Sequence, residues 1–293
     1  MNWDELWADF RRSRALRPAT FTTIQRSLRQ FQAHFPDLER PSQVQREHLW
    51  QWQSHLAQSK AEATVCLAVR GLLSLLQWGY HEGHLLVNVA EQVSLRKPPR
   101  PLMKVLTEEE VQRLLAAPSL VRRRFIAGRD RAILEVLYGT GMRAGELVSL
   151  NLDDVDLSQA LVHVRISKSQ PRLLPLGQVA LNALEQYLRH YRPAILAADE
   201  DALWLAMDGK RLTASSVHYQ VQHYGQLIGL KGAHPHALRR ACATHLLARG
   251  ASVVHIQKLL GHRDIESVLH YAKLFPVDVQ RAHRKTHPRA RLQ

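Results

Sequence analysis

Five side chains between positions 143 and 271 have the types needed to grip one phosphate and attack it. Arg143 stands in Thr140-Gly-Met-Arg-Ala-Gly-Glu-Leu147, and His236 and Arg239 stand in His234-Pro-His-Ala-Leu-Arg-Arg240. His262 closes Leu259-Leu-Gly-His262, and Tyr271 follows it nine residues on. Attack on a phosphodiester adds charge to the non-bridging oxygens. Two guanidiniums meet that charge with paired hydrogen bonds of fixed geometry, which a flexible Lys does not reproduce. A phenol, with an ordinary pKa of about 10, is a weak nucleophile until its proton is taken. His236 is the candidate base, with a smaller share for the field of the arginines. His262 would donate a hydrogen bond to the pentavalent phosphate. The set points to breaking and rejoining a nucleic-acid backbone, a narrower statement than binding one.

Each residue also has an ordinary structural reading. An Arg two positions after Gly141, at the start of a helix, is commonly solvated, although free N–H groups there also favour an anion. A lone Tyr usually packs a helix, and a His after Leu-Gly commonly caps one. Glu146 lies one turn from Arg143 and reads as its structural partner. His234, His236, His245 and His262 lack a third ligand at motif spacing, so neither a metal nor another cofactor is expected. Cys66 and Cys242 are isolated thiols without disulfide or zinc spacing.

Helices must position these residues. The segment Leu95-Arg-Lys-Pro-Pro-Arg-Pro-Leu-Met-Lys-Val105 has three prolines within 98–101 and reads as an extended basic connector. It divides the chain into an all-helical domain at 1–95, a linker at 96–105 and a larger domain at 106–293. In the first, the spacing predicts helices over Thr20–Phe35, stopped by Pro36, over Glu47–Leu56 and over Thr64–Tyr80. In the second, Thr107-Glu-Glu-Glu110 is a capping box for a helix ending near Ala117-Pro118, and Arg129–Tyr138 is helical until Gly139-Thr-Gly141. Leu161–Ile166 alternates like a strand, Lys168-Ser-Gln-Pro171 turns, and Arg172–Leu176 returns. Helices follow at about 178–192, 214–228, 236–249, 252–260 and 276–286, with Gly250 as a C-cap. The fold class is mainly α with a small antiparallel sheet.

Composition agrees with a polyanionic partner. There are 40 Lys+Arg against 26 Asp+Glu, for a net charge of +14. Residues 1–100 carry 13 basic and 9 acidic side chains, and residues 101–293 carry 27 and 17, so both parts are positive. Arg96, Lys97, Arg100, Lys104 and Arg240 are candidate DNA contacts. No apolar run reaches the roughly 18 residues needed to span a bilayer, and the N-terminus lacks a signal-peptide pattern. A cytoplasmic, nucleoid-associated protein is expected.

With these residues in order, the chain resembles the tyrosine recombinase (phage integrase) family, and most of all its Xer branch. The family pattern is matched by Thr140-Gly-Met-Arg143 with Glu146-Leu147, Lys168, His236-Ala-Leu-Arg239, Leu260-Gly-His262 and Tyr271. Val105-Leu-Thr-Glu-Glu-Glu110 and His287-Pro-Arg-Ala290 extend the likeness. The resemblance implies a helical core-binding domain and a catalytic domain that clamp duplex DNA at a specific recombination site. It also implies a 3′-phosphotyrosine intermediate, a tetramer acting alone or with a paralogous recombinase, and, by analogy, a septal DNA translocase as partner. Lys168 then becomes the acid that protonates the leaving 5′-oxygen. Resolution of chromosome or plasmid dimers is the expected role. A mobile-element integrase, a type IB topoisomerase and a catalytically inactive DNA-binding protein are the alternatives. Two departures stand out. Arg240 replaces a second His common in relatives, which predicts altered packing or an extra phosphate contact. The hairpin Ser167–Arg172 also lacks the longer, Gly- and Lys-rich turn usual in the Xer branch.

Overall fold

The structure, a computed structural model, describes residues 1–95, 104–165, 171–195 and 201–261. The chain divides into two compact units, Met1–Pro101 and Leu102–Gln293.

The first unit is helical. Helix α1 (Trp3–Ser13) opens on a capping box in which Asn2 and Glu5 satisfy each other's backbone N–H groups, both at 2.8 Å. The sequence spacing assigns no helix to this segment. Helix α2 (Pro18–His34) begins two residues before the predicted Thr20, because Pro18 suits the first helical turn. Helices α3 (Arg46–Ala57) and α4 (Glu62–His81) follow the predicted spans, each longer by a residue or two at its ends. Their apolar faces meet around a buried aromatic cluster. Phe31 lies edge-on to Trp52 at 5.4 Å, and Phe10 edge-on to Trp78 at 5.2 Å.

The second unit joins helices to a three-stranded antiparallel sheet. Helix α5 (Glu108–Ala116) has the predicted capping box, with Thr107 Oγ1 accepting from the Glu110 N–H at 3.1 Å. Helix α6 (Arg124–Thr140) starts five residues earlier than expected, with Arg123 in the cap position and no acidic residue in the first turn to signal it. Helix α7 (Ala144–Val148) is one short turn. Strands β1 (Val155–Asp156), β2 (Leu161–Val164) and β3 (Arg172–Pro175) pair in that order, with Val155 opposite Val162 and Val164 opposite Arg172. The two-residue β1 was not foreseen, being too short to show alternation. Helix α8 (Gln178–Gln186) ends earlier than the predicted 192. It widens into a π-turn at Tyr187–Tyr191 and tightens at Arg192–Ala194, next to Pro193. The ring of Tyr187 is buried there, stacked on Trp204 at 5.1 Å.

Helices α9 (Ala214–Leu227), α10 (Pro235–Ala248) and α11 (Val253–Leu260) complete the described part of this unit. One core cluster includes Ile133, Leu137, Met142, Leu147, Val164, Leu174 and Leu238, so α6, α7, the sheet and α10 share an interior. A smaller cluster of Ala243, Leu247, Ile256 and Leu260 ties α11 to α10. Each buried leucine contributes roughly 1.5–3 kcal/mol relative to exposure. A buried polar network also crosses the core. Arg129 donates to Asp130 at 2.8 Å and to the Leu205 carbonyl at 2.9 Å, while the Tyr224 hydroxyl donates to Asp130 at 2.8 Å. The predicted helix at 276–286 lies outside the described residues. Among those residues, no helix is long and apolar enough to cross a membrane.

Candidate active site

The Thr140–Leu147 motif makes the turn between α6 and α7. Gly141 ends α6 with φ +63°, a left-handed conformation that L side chains adopt at a cost. A Cβ there would also meet Leu260 at 2.7 Å and Cys242 at 3.2 Å. Met142 and Leu147 are buried on either side, which leaves Arg143 as the N-cap of α7. The Arg143 N–H donates to Glu146 Oε2 at 2.9 Å, and its guanidinium donates to Glu146 Oε1 at 2.9 Å. Glu146 is thus the structural partner that the spacing suggested. It also receives Arg172 from β3, through Nη2 at 2.8 Å and Nη1 at 3.3 Å.

Helix α10 supplies the other half. His234 is its N-cap, with Nδ1 accepting from the Ala237 N–H at 3.1 Å, and Pro235 occupies the first turn. His236 is exposed in that turn, and Arg239, one turn on, is only 3% exposed. Arg239 donates to the Gly141 carbonyl at 2.7 Å and to the Leu260 carbonyl at 2.8 Å. It therefore links α10 both to the turn that carries Arg143 and to the end of α11. That end is Gly261, left-handed at φ +65°.

The electrostatics favour an anion. Partial withdrawal from water, then the charges of Arg239, Arg143 and Arg240, hold the His236 imidazole below its ordinary pKa. His236 is therefore mainly neutral at pH 7, the state a proton acceptor needs. His234 is pushed down to about 4 by burial, then by Arg240 and the neighbouring His218 and His236. Cys242, behind Arg239, is pushed up to about 12 by burial and stays a thiol.

Arg143, His236 and Arg239 are thus brought together. Arg240 is half-buried with Nη2 3.5 Å from His234 Nε2. Lys104 pairs with Glu110 at 2.7 Å beside the α5 cap, at some remove from the cluster in sequence. Arg165 pairs with Asp154 at 2.6 Å. Lys168, His262, Tyr271, Arg96, Lys97 and Arg100 lie outside the described residues. His245 belongs elsewhere, its Nε2 donating to the Leu106 carbonyl at 3.0 Å and its Nδ1 hydrogen-bonded to the Tyr138 hydroxyl at 3.0 Å. Among the described residues no group of three His, Cys, Asp or Glu could hold a metal ion.

Arg172 is the residue that sequence reading undervalued, placing it only at the start of the returning strand. Its signal was the two-residue strand period, which sets Arg172 on the face of Leu174 (buried) and opposite to Leu173 (61% exposed).

This turn, with its guanidiniums and imidazole on a mainly helical unit, makes a site suited to binding an anion. The chain belongs to the phage integrase family, whose model matches residues 104–276, and within it to the tyrosine recombinases, which carry out site-specific DNA recombination. Its relatives are of the Xer type. It is 37% identical over 221 residues to tyrosine recombinase XerD of Pseudomonas putida, covering 75% of this chain and 74% of that protein. It is 36% identical over 239 residues to tyrosine recombinase XerC of Thermodesulfovibrio yellowstonii, covering 80% and 78%. The same fold occurs in the Tn1549 transposon integrase in complex with circular intermediate DNA, with TM-score 0.79, 18% identity, and 97% and 99% of the two chains covered. It occurs also in the XerH site-specific recombinase bound to palindromic difH substrate, with TM-score 0.75, 19% identity, and 90% and 78% covered.

Proposed function

We propose that this recombinase cleaves and rejoins duplex DNA through a 3′-phosphotyrosine at Tyr271, and that it resolves chromosome or plasmid dimers in the Xer manner. The observation that carries the reading is the fastening of Arg239 to the Gly141 carbonyl, two residues from Arg143, with a neutral His236 beside both.

The phosphate is held by Arg143 and Arg239. Tyr271 Oη attacks phosphorus as His236 takes the phenolic proton, and the P–O5′ bond breaks. Lys168 protonates the departing 5′-oxygen, and His262 donates a hydrogen bond to the pentavalent phosphate. The phosphodiester is exchanged for a phosphotyrosine of similar energy. A second 5′-hydroxyl can then reverse the step without ATP or metal, returning the two protons to Lys168 and Tyr271.

Two duplexes contain four strands to exchange, so a tetramer on two recombination sites follows, built from this chain alone or with a paralogous recombinase. The helical 1–95 segment serves as core-binding domain, the 96–105 segment as linker and 106–293 as catalytic domain. The cations Arg96, Lys97, Arg100, Lys104 and Arg240 contribute phosphate contacts, which makes binding strongly salt-dependent. The site of action is the nucleoid in the cytoplasm, with a septal DNA translocase as the activating partner. A second reading, recombination for a mobile element, is favoured by the fold shared with a transposon integrase.

A nicked suicide duplex bearing a cognate site tests the chemistry. Wild type should form a covalent DNA adduct visible on a denaturing gel, and Tyr271→Phe should form none. An adduct with the Phe variant would reassign the nucleophile. Lys168→Ala should bind as wild type and cleave more slowly.

A further inference from the structure

Arg172 opens β3 with its side chain turned inward and only 9% exposed. Its guanidinium spends three nitrogens on two other elements: Nε on the Leu259 carbonyl of α11 at 2.8 Å, and both terminal nitrogens on Glu146 of α7. Leu259 and Leu260 are the last two residues of α11, so Arg172 and Arg239 hold successive carbonyls at that helix end. A single ammonium could not bridge all these acceptors, which is why the position needs Arg and not Lys.

The charge count matters as much as the geometry. Glu146 faces two guanidiniums, Arg143 and Arg172, so the trio carries +1. Removing Arg172 takes one positive charge from this trio, and a bound phosphate would feel less attraction.

We infer that Arg172 is a positioning residue of the phosphate site, orienting Arg143 and keeping it electropositive through their shared carboxylate Glu146, and fixing the end of α11 through Leu259. This rests on the reading that Arg143 binds the scissile phosphate.

The test is single-turnover cleavage of two suicide duplexes carrying a site that wild type cleaves. One has an ordinary scissile phosphodiester and the other a neutral methylphosphonate. A methylphosphonate removes one negative oxygen, so it relieves the need for a cation at the phosphate but not the need for a stable fold. Arg172→Met should slow phosphodiester cleavage by about 10–100-fold, less than loss of a donor in direct contact. DNA binding should be retained, and most of the deficit should disappear on the methylphosphonate. Arg143→Ala should show the same relief. Arg172→Lys, which keeps the charge and loses the fork, should fall between Met and wild type on the phosphodiester. If Arg172→Met fails to fold, the Lys variant is read on the two substrates in the same way.

An equal deficit on both substrates, tracking the melting temperature, would make Arg172 a fold-stabilising residue only and overturn the inference. If Arg143→Ala cleaves at the wild-type rate, the phosphate-site reading itself fails. If Arg143→Ala is slow and Arg172→Met is not, the reading stands and only the role of Arg172 falls.

Discussion

Two arginine–carboxylate clusters lie in the same unit and are built from similar parts. Arg129 and Asp130 meet at 2.8 Å, and Arg143 and Glu146 at 2.9 Å. In the first cluster both residues are nearly inaccessible, at 4% and 2%, and the charges match one to one. Arg129 is further used by the Leu205 carbonyl, and Asp130 by the Tyr224 hydroxyl. Burial raises the Asp130 pKa even against the pull of Arg129, which shows how costly the desolvated carboxylate is. In the second cluster a buried carboxylate serves two guanidiniums, and one of them, Arg143, keeps 26% of its side chain open to solvent. The exposure of one cation therefore separates the buried ion pair from the proposed anion site.

The largest effect should come from the closed cluster. Asp130→Ala leaves Arg129 buried without its carboxylate partner, which costs about 3–5 kcal/mol of stability. Denaturant unfolding measures this, and cleavage per folded molecule should be unchanged. A loss below about 1 kcal/mol would remove the contrast between the clusters, since an exposed pair is worth that little. The open cluster should behave in the opposite way. Arg143→Ala should cut the cleavage rate on the order of 10²–10³-fold, as for removal of a transition-state donor. Its melting temperature should stay close to wild type, because Glu146 keeps both Arg172 and the residue-143 N–H. Unfolding like that of Asp130→Ala would show Arg143 to be structural instead.

The smallest effect is a dependence on pH. His234 has a folded pKa of about 4 against an ordinary 6.5, and burial also lowers His245. The unfolded chain thus binds more protons between these values. The stability they contribute is complete above pH 6.5 and lost as pH falls toward 4. The loss should be on the order of 2 kcal/mol after allowing for partial exposure of the ring. Urea titrations at pH 7 and pH 5 measure it, and His234→Asn should flatten the difference. His236 is lowered in the same direction, so cleavage should hold through pH 6.5 and decline only on further acidification, as the imidazole gains a proton. A rate that rises on acidification would remove His236 as the base.

Much of the fold was legible. Helices α2 to α5 and α9 to α11 follow from apolar spacing and, for α5, the Thr107 capping box, because helix signals are local. The misses have particular causes. The first turn of α6 has no capping signal, β1 is two residues long, and the predicted helix through 192 is interrupted where Tyr187 packs under Trp204. Tertiary burial outweighed propensity at that last point.

For the site, the sequence alone determined which residues have the chemistry. Arg143 follows a Gly that must turn, His236 and Arg239 share the start of one helix, and Glu146 sits one turn from Arg143, all of which are relations within a few residues. Only the tertiary structure decided how those pieces meet. Arg239 reaches 98 positions back to Gly141, and Arg172 reaches 26 back to Glu146 and 87 forward to Leu259. No local periodicity encodes such contacts. They arise because a buried guanidinium must find acceptors for its donors, and the packed core determines which carbonyls and carboxylate come within reach.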